Sequence, residues 1–246
     1  MRRLAVLGGA GGIGRALVAR AAAEGWRVCV LDLPASLARH GVPDGVQAIE
    51  VEGAVESSVT RAFAALAEWG GLEGFVNLAG FVGAMRPLAE AEPDFWDEVV
   101  AGNLRTAYLT ARAALPLLAR GDAPAMVQMV SGLAAFTRPN YGPYAASKAA
   151  IVSMTKTLAL EAAPAVRVNA VGPGAVDTAF LRGGTGRSDE TQPLRLDVAA
   201  YSNAIPLKRI AVPEDVVGPT LFLLGPDSAY MTGQVLHPNG GVIVNG

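Results

Sequence analysis

Tyr144 and Lys148 stand four residues apart and are suited to proton transfer. Residues at this spacing lie on one face of a helix, so the phenol and the ammonium would be neighbours. A cation about 4 Å from a phenol, whose reference pKa is about 10, favours the ionised form by roughly 4 kcal/mol, or about 3 pKa units, at an effective dielectric constant near 20. The pair is therefore predicted to exchange a proton with an alcohol oxygen. A tyrosine and a lysine at this spacing also occur as surface decoration.

Ser131 adds a third polar group. It follows the apolar run 126–130, which is typical of a buried strand. The serine would then lie at the carboxyl edge of the sheet, where folds of this class bind ligands. A hydroxyl there is able to hydrogen-bond a substrate oxygen beside Tyr144. The alternative is a serine that simply ends a strand.

A glycine-rich loop, residues 8–14, follows the first predicted strand and opens the first predicted helix. Gly8, Gly12 and Gly14 have the spacing G-x-x-x-G-x-G, which allows a ligand to approach the backbone closely. Helix N–H groups at such a turn bind the pyrophosphate of a dinucleotide. A glycine cluster alone is also compatible with nothing more than a tight turn between strand and helix.

A carboxylate, Asp32, ends the second predicted strand, 18 residues after Gly14. An acid there accepts hydrogen bonds from both hydroxyls of the adenosine ribose, and it repels a 2′-phosphate. No Lys or Arg directly follows Asp32 or stands in the glycine loop before Gly14. The sequence therefore favours NAD over NADP. A helix N-cap or a solvated loop acid is the other common role of an aspartate.

These side chains need a sheet whose strand ends lie side by side. Apolar runs alternate with Ala- and Leu-rich segments at helical spacing. The predicted strands are 3–7, 27–31, 46–51, 73–77, 125–130, 166–170 and 234–237, and the predicted helices are 12–24, 56–69, 94–119, 143–162 and 213–224. Strands that are apolar at successive positions are covered on both faces. The predicted fold class is α/β: a doubly wound, Rossmann-like parallel sheet with helices on both faces, in a single dinucleotide-binding domain over 1–246.

Composition excludes several classes of protein. Of the 246 residues, 51% are hydrophobic and 17% are charged, which rules out a disordered or collagen-like chain. The formal net charge of −2 leaves no cationic surplus for a nucleic acid, and the apolar runs are too short for a membrane span. With one cysteine, Cys29, and only His40 and His237, neither a disulfide nor a metal site is expected. We expect a cytoplasmic protein.

Further motifs follow one another in a fixed order. They are Gly8, Gly12 and Gly14, then Asn77-Leu78-Ala79-Gly80, Asn103, Ser131, Tyr144 with Lys148, Asn169, Pro173-Gly174, Gly233 and Gly240-Gly241. Ser131 precedes Tyr144 by 13 residues. In this order, and over essentially the whole chain, the sequence resembles the short-chain dehydrogenase/reductase family in its shorter form.

The resemblance implies a catalytic tetrad of Asn103, Ser131, Tyr144 and Lys148. Tyr144 would be the general acid/base, and Ser131 would position and polarise the substrate oxygen. Lys148 would lower the tyrosine pKa and hold the nicotinamide ribose, while Asn103 would support a water chain to Lys148.

The resemblance also implies a set of cofactor contacts. They are Gly8, Gly11, Gly12, Ile13, Gly14, Asp32, Glu52, Gly53, Asn77, Ala79, Gly80, Tyr144, Lys148, Pro173, Gly174, Val176 and Thr178. Four positions depart from the family pattern. Leu7 stands where the family often has Thr, and Glu52 stands where an Asp usually lies beside the adenine. Leu78 stands in place of the second Asn of Asn-Asn-Ala-Gly, and Asn239 stands where an Asp is common. The adenine hydrogen bond of Glu52 is therefore in doubt, as is a hydrogen bond that ties neighbouring strands near Leu78.

The resulting functional hypothesis is an NAD-dependent oxidoreductase that transfers a hydride between the cofactor and a small secondary alcohol or ketone. One alternative is a 3-oxoacyl-thioester (acyl carrier) reductase, which usually goes with NADP and a basic surface. Another is a noncatalytic NAD-binding protein that senses redox state, against which the intact tetrad argues.

The substrate is less clearly indicated than the cofactor. Family positions suggest a largely apolar pocket bordered by Phe81, Met85, Leu133, Phe136, Tyr141, Phe180 and Leu181. Arg138, Arg182 and Arg187 are candidates to pair with a carboxylate, or are solvated loop charges. The polar segment 179–205 is predicted to be a substrate-loop insertion that closes as a mobile lid. The resemblance and the apolar helices near 94–119 and 143–162 predict a homo-oligomer, most often a tetramer.

Overall fold

Seven parallel strands form one sheet in a computed structural model that describes residues 1–194 and 196–243. The strands are β1 (Arg3–Leu7), β2 (Arg27–Asp32), β3 (Gln47–Glu50), β4 (Gly74–Asn77), β5 (Ala125–Met129), β6 (Arg167–Val171) and β7 (Val235–Leu236). Their order across the sheet is β3-β2-β1-β4-β5-β6-β7. Successive strands therefore add to one side of β1 up to β3 and to its other side from β4 onward. Open parallel sheets bind ligands at this reversal of strand order, between β1 and β4. The predicted fold class is confirmed.

Eight α-helices of the described chain cover the two faces of this sheet. They are α1 (Gly12–Ala23), α2 (Pro34–His40), α3 (Glu56–Leu66), α4 (Pro93–Val100), α5 (Thr106–Leu118), α6 (Gly142–Ala162), α7 (Val198–Ala204) and α8 (Pro213–Leu224). One core joins α3 and α5 to the sheet, around Phe63, Leu109 and Phe75. The other joins α1 and α8 to the opposite face, around Leu17 and Val216. Burial on both faces explains the continuous apolar runs of the strands.

The strand register brings the polar strand ends together. Leu7 of β1 pairs with Leu31 of β2 and with Asn77 of β4, and Asn77 pairs in turn with Gln128 of β5. Residues immediately after these strands consequently lie along one edge of the sheet. That edge carries the glycine loop, Asp32 and Ser131.

The predicted helices differ from the observed ones in two places. The predicted helix 94–119 is divided into α4 and α5 by a π-helical turn, Ala101–Arg105. Helix α2 was not predicted, although Pro34 at its first turn is a recognised start signal. The ends of the predicted strands agree with the observed ones to within about two residues, the usual uncertainty of such boundaries.

The predicted insertion 179–205 contains a 3₁₀ turn, Ala179–Arg182, and α7. Leu194 and Leu196 precede α7 and are not part of it. Within residues 1–194 and 196–243, no helix combines the length and apolar character needed to cross a bilayer. The last three positions of the predicted domain, 244–246, lie outside the described residues.

Candidate active site

A cavity of about 930 Å³ opens at the carboxyl edge of the sheet. Most of the residues expected at the site line it. They are Gly8, Gly11, Gly12, Ile13, Gly14, Asp32, Glu52, Gly53, Ala79, Gly80, Ser131, Tyr144, Lys148, Pro173, Gly174, Val176 and Thr178. Asn77 and Asn103 do not line the cavity and lie buried behind its wall.

The glycine loop forms a cradle that side chains would fill. Gly8 has a φ of +79°, and its N–H donates to the carbonyl of Leu31 at 2.8 Å. A Cβ at Gly12 would lie 2.6 Å from Cγ2 of Thr178, and a Cβ at Gly14 would overlap the carbonyl oxygen of Gly8. The glycines therefore allow α1 to begin directly against the loop, with its free N–H groups at the cavity.

Asp32 is fixed at the end of β2 by two backbone donors. Its Oδ2 accepts from the N–H of Ala10 at 2.9 Å, and its Oδ1 accepts from the N–H of Leu33 at 2.7 Å. Burial raises the pKa of the carboxyl, and these hydrogen bonds oppose the increase. The cavity wall after β2 continues through residues 33–36 without a Lys or Arg. The cradle and this carboxylate together fit a dinucleotide.

The expected acid/base pair, Tyr144 and Lys148, lies on α6, whose first turn contains Pro143. Tyr144 is 6% exposed and Lys148 is 3% exposed. The ammonium lies 5.8 Å from the centre of the Tyr144 ring and donates to the carbonyl of Met129, at the end of β5, at 2.8 Å. Both side chains therefore face the same strand end.

The expected decrease in the Tyr144 pKa is not found in the protein alone. Burial raises this pKa to about 12, partly opposed by a hydrogen bond with Ser131. Burial also lowers the pKa of Lys148 to about 8. The sequence-based estimate neglected desolvation, which disfavours the charged form of both groups.

Asn103 acts through its neighbours. It lies on the π-helical turn, where its Oδ1 accepts from the N–H of Phe81 at 2.9 Å. Its Nδ2 donates to the carbonyl of Phe81 at 3.0 Å and to Oγ of Ser147 at 3.2 Å. Since Phe81 lines the cavity and Ser147 precedes Lys148 on α6, Asn103 connects the cavity wall to α6.

Asn77 also has a structural position. Its Nδ2 donates to Oε1 of Gln128 at 2.9 Å, and its Oδ1 accepts from the N–H of Ala79 at 3.0 Å. Asn77 thus supports Ala79, which lines the cavity, and its expected contact with the cofactor stays a prediction. The Asn77–Gln128 bond also ties β4 to β5, which is the kind of link that was in doubt because of Leu78.

Comparison with known proteins identifies the family. A sequence profile described as enoyl-(acyl carrier protein) reductase matches residues 8–243. The 2-(S)-hydroxypropyl-CoM dehydrogenase 3 of Xanthobacter autotrophicus is 31% identical over 253 residues, which cover 97% of this chain and 95% of that protein. The chain belongs to the short-chain dehydrogenase/reductase family. It is thus one of a family of oxidoreductases.

Two further matches agree with this assignment. An uncharacterised short-chain type dehydrogenase/reductase of Sinorhizobium fredii, y4vI, is 35% identical over 249 residues; the match covers 98% of this chain but only 43% of that longer protein. The solved structure of a 3-ketoacyl-(acyl-carrier-protein) reductase from Brucella melitensis, complexed with NADH, superposes with a TM-score of 0.88 at 28% identity. It covers 99% of this chain and 98% of its own.

The part of the cavity near Tyr144, away from Asp32, is largely apolar in this short-chain dehydrogenase/reductase. All of the expected pocket residues border it: Phe81, Met85, Leu133, Phe136, Tyr141, Phe180 and Leu181. The rings of Tyr144 and Phe180 lie 6.0 Å apart. Arg138 and Arg187 also line the cavity. Arg182 does not line it and pairs with Asp177 at 3.5 Å. In the described part of the chain, no group of three or more His, Cys, Asp or Glu side chains is placed to hold a metal ion.

The segment 179–205 is attached to both sides of the cavity mouth. On one side, Ser36 Oγ donates to the carbonyl of Thr185 at 3.3 Å, and His40 Nε2 lies 3.0 Å from Oε1 of Glu190. On the other side, Arg187 pairs with Glu98 at 2.7 Å. Sequence reasoning missed Ser36 and Glu98, because only the fold brings α2 and α4 to this segment.

Proposed function

We propose that this protein is an NAD-dependent dehydrogenase/reductase of secondary alcohols and ketones. The observation that carries the proposal is the burial of the Tyr144 phenol beside Ser131, in the wall of a cavity that also contains the glycine cradle. A proton donor and a second hydroxyl aimed at one point are suited to an alcohol or carbonyl oxygen.

Each residue has a distinct part in this proposal. Tyr144 holds at its Oη the proton that passes to or from the substrate oxygen, and Ser131 donates a hydrogen bond to the same oxygen. Lys148, fixed by the Met129 carbonyl, contributes positive charge that favours the phenolate. When bound, the nicotinamide supplies the two-electron acceptor or donor and, in its oxidised form, a further positive charge. Asn103 positions α6 against the cavity wall.

Tyr144→Phe tests the proposal, because it removes the transferable proton and preserves the ring. We expect kcat to fall by a factor of about 10² to 10⁴, which is the usual contribution of general acid/base assistance. The affinity for NAD should be unchanged. The matched control is Tyr108→Phe, since Tyr108 is exposed on α5 and does not line the cavity. Activity of Tyr144→Phe within tenfold of the parent would refute Tyr144 as the acid/base.

Asp32 predicts the choice of cofactor. A 2′-phosphate beside this carboxylate meets like-charge repulsion and lacks a hydroxyl to donate, so we expect kcat/KM to favour NAD over NADP by roughly 30-fold to 1,000-fold. Asp32→Asn should reduce this ratio because the repulsion disappears while the side-chain shape is retained. Equal efficiency of the parent with NAD and NADP would contradict the assignment.

A 3-oxoacyl-thioester reductase is the second candidate. Its support is the similarity to the Brucella melitensis 3-ketoacyl-(acyl-carrier-protein) reductase over nearly the whole of both chains. Reduction of an acetoacetyl thioester with higher kcat/KM than simple ketones would favour this candidate. Absence of hydride transfer with a broad panel of alcohols, ketones and thioesters would instead indicate a noncatalytic NAD-binding protein.

A further inference from the structure

The charged residues that line the cavity are unevenly distributed. Among the described residues, the lining acids are Asp32, which ends β2, and Glu52, which follows β3. The lining bases are Lys148, on α6, together with Arg138 and Arg187. Since β2 and β5 are three strand spacings apart, roughly 14 Å, the acidic end and the Ser131 end are well separated. Near Tyr144, therefore, the charged side chains that line the cavity in the described part of the chain are all cationic.

Arg187 is neutralised by its surroundings. Its Nη2 lies 2.7 Å from Oε1 of Glu98, and its guanidinium stacks on the ring of Phe81 at 3.6 Å from the ring centre. The positive charge of Arg187 is therefore already balanced by the Glu98 carboxylate. Arg187 thus serves to attach the segment 179–205 over the cavity.

Arg138 differs in this respect. It lies in the loop between β5 and α6, lines the cavity, and stacks on the ring of Tyr201 of α7 at 5.1 Å. Within residues 1–194 and 196–243, no carboxylate lies within ion-pair distance of it. Arg138 is exposed at the cavity, and toward the same described residues its guanidinium contacts only an aromatic ring, which leaves its donors for an anion.

We infer that the substrate carries an anionic oxyacid group, a carboxylate or a sulfonate, which Arg138 binds while the reacting alcohol or ketone lies beside Tyr144. This inference rests on the proposed function. Leu133, Phe136 and Tyr141 line the same side of the cavity, so the part of the substrate between the two ends is apolar or aromatic. Guanidinium groups recognise such oxyacids through paired hydrogen bonds.

Three matched ketones test the inference: 4-acetylbenzoate, 4-acetylbenzenesulfonate and the neutral 4-acetylbenzamide. We expect kcat/KM for the preferred anion to exceed that for the amide at least tenfold. Arg138→Gln should lower the value for the anion about 10-fold to 100-fold and the value for the amide less than about threefold, as loss of a charge-assisted contact predicts. Arg138→Lys should retain part of the preference. Comparison of the two anions identifies the oxyacid.

Arg112→Gln is the control for net charge, because Arg112 lies on the outer face of α5 and pairs with Glu56. It should leave the preference for the anion intact. Equal kcat/KM for anion and amide in the parent, or an equal decrease of both in Arg138→Gln, would overturn the inference and leave the proposed function standing.

A binding measurement separates this inference from the proposed function. The NADH-loaded protein is titrated calorimetrically with 4-isopropylbenzoate, 4-isopropylbenzenesulfonate and 4-isopropylbenzamide, which have no reducible group. Tighter binding of an anion in the parent, lost in Arg138→Gln, supports the anion site even if no ketone is reduced. No preference for an anion overturns it, whatever the turnover.

Discussion

Burial opposes the ionised form of both residues in the proposed acid/base pair. The phenol of Tyr144 has a pKa raised to about 12 by burial, and the ammonium of Lys148 has one lowered to about 8. The cation therefore has an energetic cost in the folded protein, offset in part by its hydrogen bond to the Met129 carbonyl. A site that keeps such a charge in a buried place gives up stability for function.

Lys148→Met should consequently stabilise the fold while abolishing turnover. The pKa shift from 10.5 to about 8 corresponds to about 3 kcal/mol, from which we subtract about 1 kcal/mol for the lost hydrogen bond. We expect the free energy of unfolding at pH 6.5 to rise by about 2 kcal/mol, measured by urea denaturation. The control is Lys156→Met on the exposed side of α6.

The pH dependence of this gain has a definite sign. Between about pH 8 and 10.5 the unfolded chain holds the Lys148 proton and the native chain does not, so parent stability rises with pH in this window. The advantage of Lys148→Met should therefore be largest below pH 8 and shrink toward pH 10.5. If Lys148→Met is less stable than the parent at pH 6.5, burial of the Lys148 ammonium does not lower the free energy of unfolding.

The sequence did not indicate the hydrogen-bond partners that Asn77 and Asn103 have in the structure. The positions of Gly12 at the start of α1 and of Asp32 at the end of β2 could be predicted because they depend on local turn and strand signals. The hydrogen bonds of Asn103 to Phe81 and Ser147 join residues 22 and 44 positions away. Such partners depend on tertiary packing, for which a single sequence contains no direct signal.

At the scale of elements, the least regular segments surround the site. The π-helical turn between α4 and α5 aims Asn103 inward, and π-bulges often occur at functional sites. The apolar periodicity of 94–119 continues through it, so the sequence predicted one helix. Helix α2 is short: its first residues, Pro34, Ala35 and Ser36, line the cavity, and Ser36 and Arg39 also contact the segment 179–205.

The segment 179–205 is expected to open easily in the free protein. Its attachments to α2 include the contacts of Glu190 with His40 and with Arg39, at 3.0 and 3.6 Å. Ion pairs near the surface contribute only about 0 to 1 kcal/mol each. We predict that amide hydrogen exchange over residues 183–194 is fast in the free protein and slows markedly with NAD and a substrate analogue.

Glu190→Gln should accelerate exchange of residues 183–194 in the free protein, because it removes the charge that both α2 side chains contact. Glu56→Gln is the matched control, since Glu56 pairs with Arg112 away from the cavity. Equal protection with and without ligands would mean that this segment is a fixed wall.

At the scale of the whole molecule, the alternation of strands and helices was enough to predict the sheet. The order of its strands depends on which distant segments pack together. The same limit applies to the helices near 94–119 and 143–162, whose apolar surface suggested association. Most of the apolar α5 residues that suggested this, among them Leu109, Leu117 and Leu118, are buried within the chain itself.

Exposed apolar side chains remain on these two helices, and they give the association proposal a specific test. Leu160 of α6 is 82% exposed, and Tyr108 of α5 is half exposed. We predict that the protein sediments as a homo-oligomer at micromolar concentration and that Leu160→Glu shifts it toward the monomer, because a charge at a buried contact is costly. The same change at Leu207, exposed after α7, should leave the sedimentation unchanged. A monomeric parent would show that both helices are covered fully within one chain, and the exposed Leu160 would then be an isolated surface residue that needs no partner.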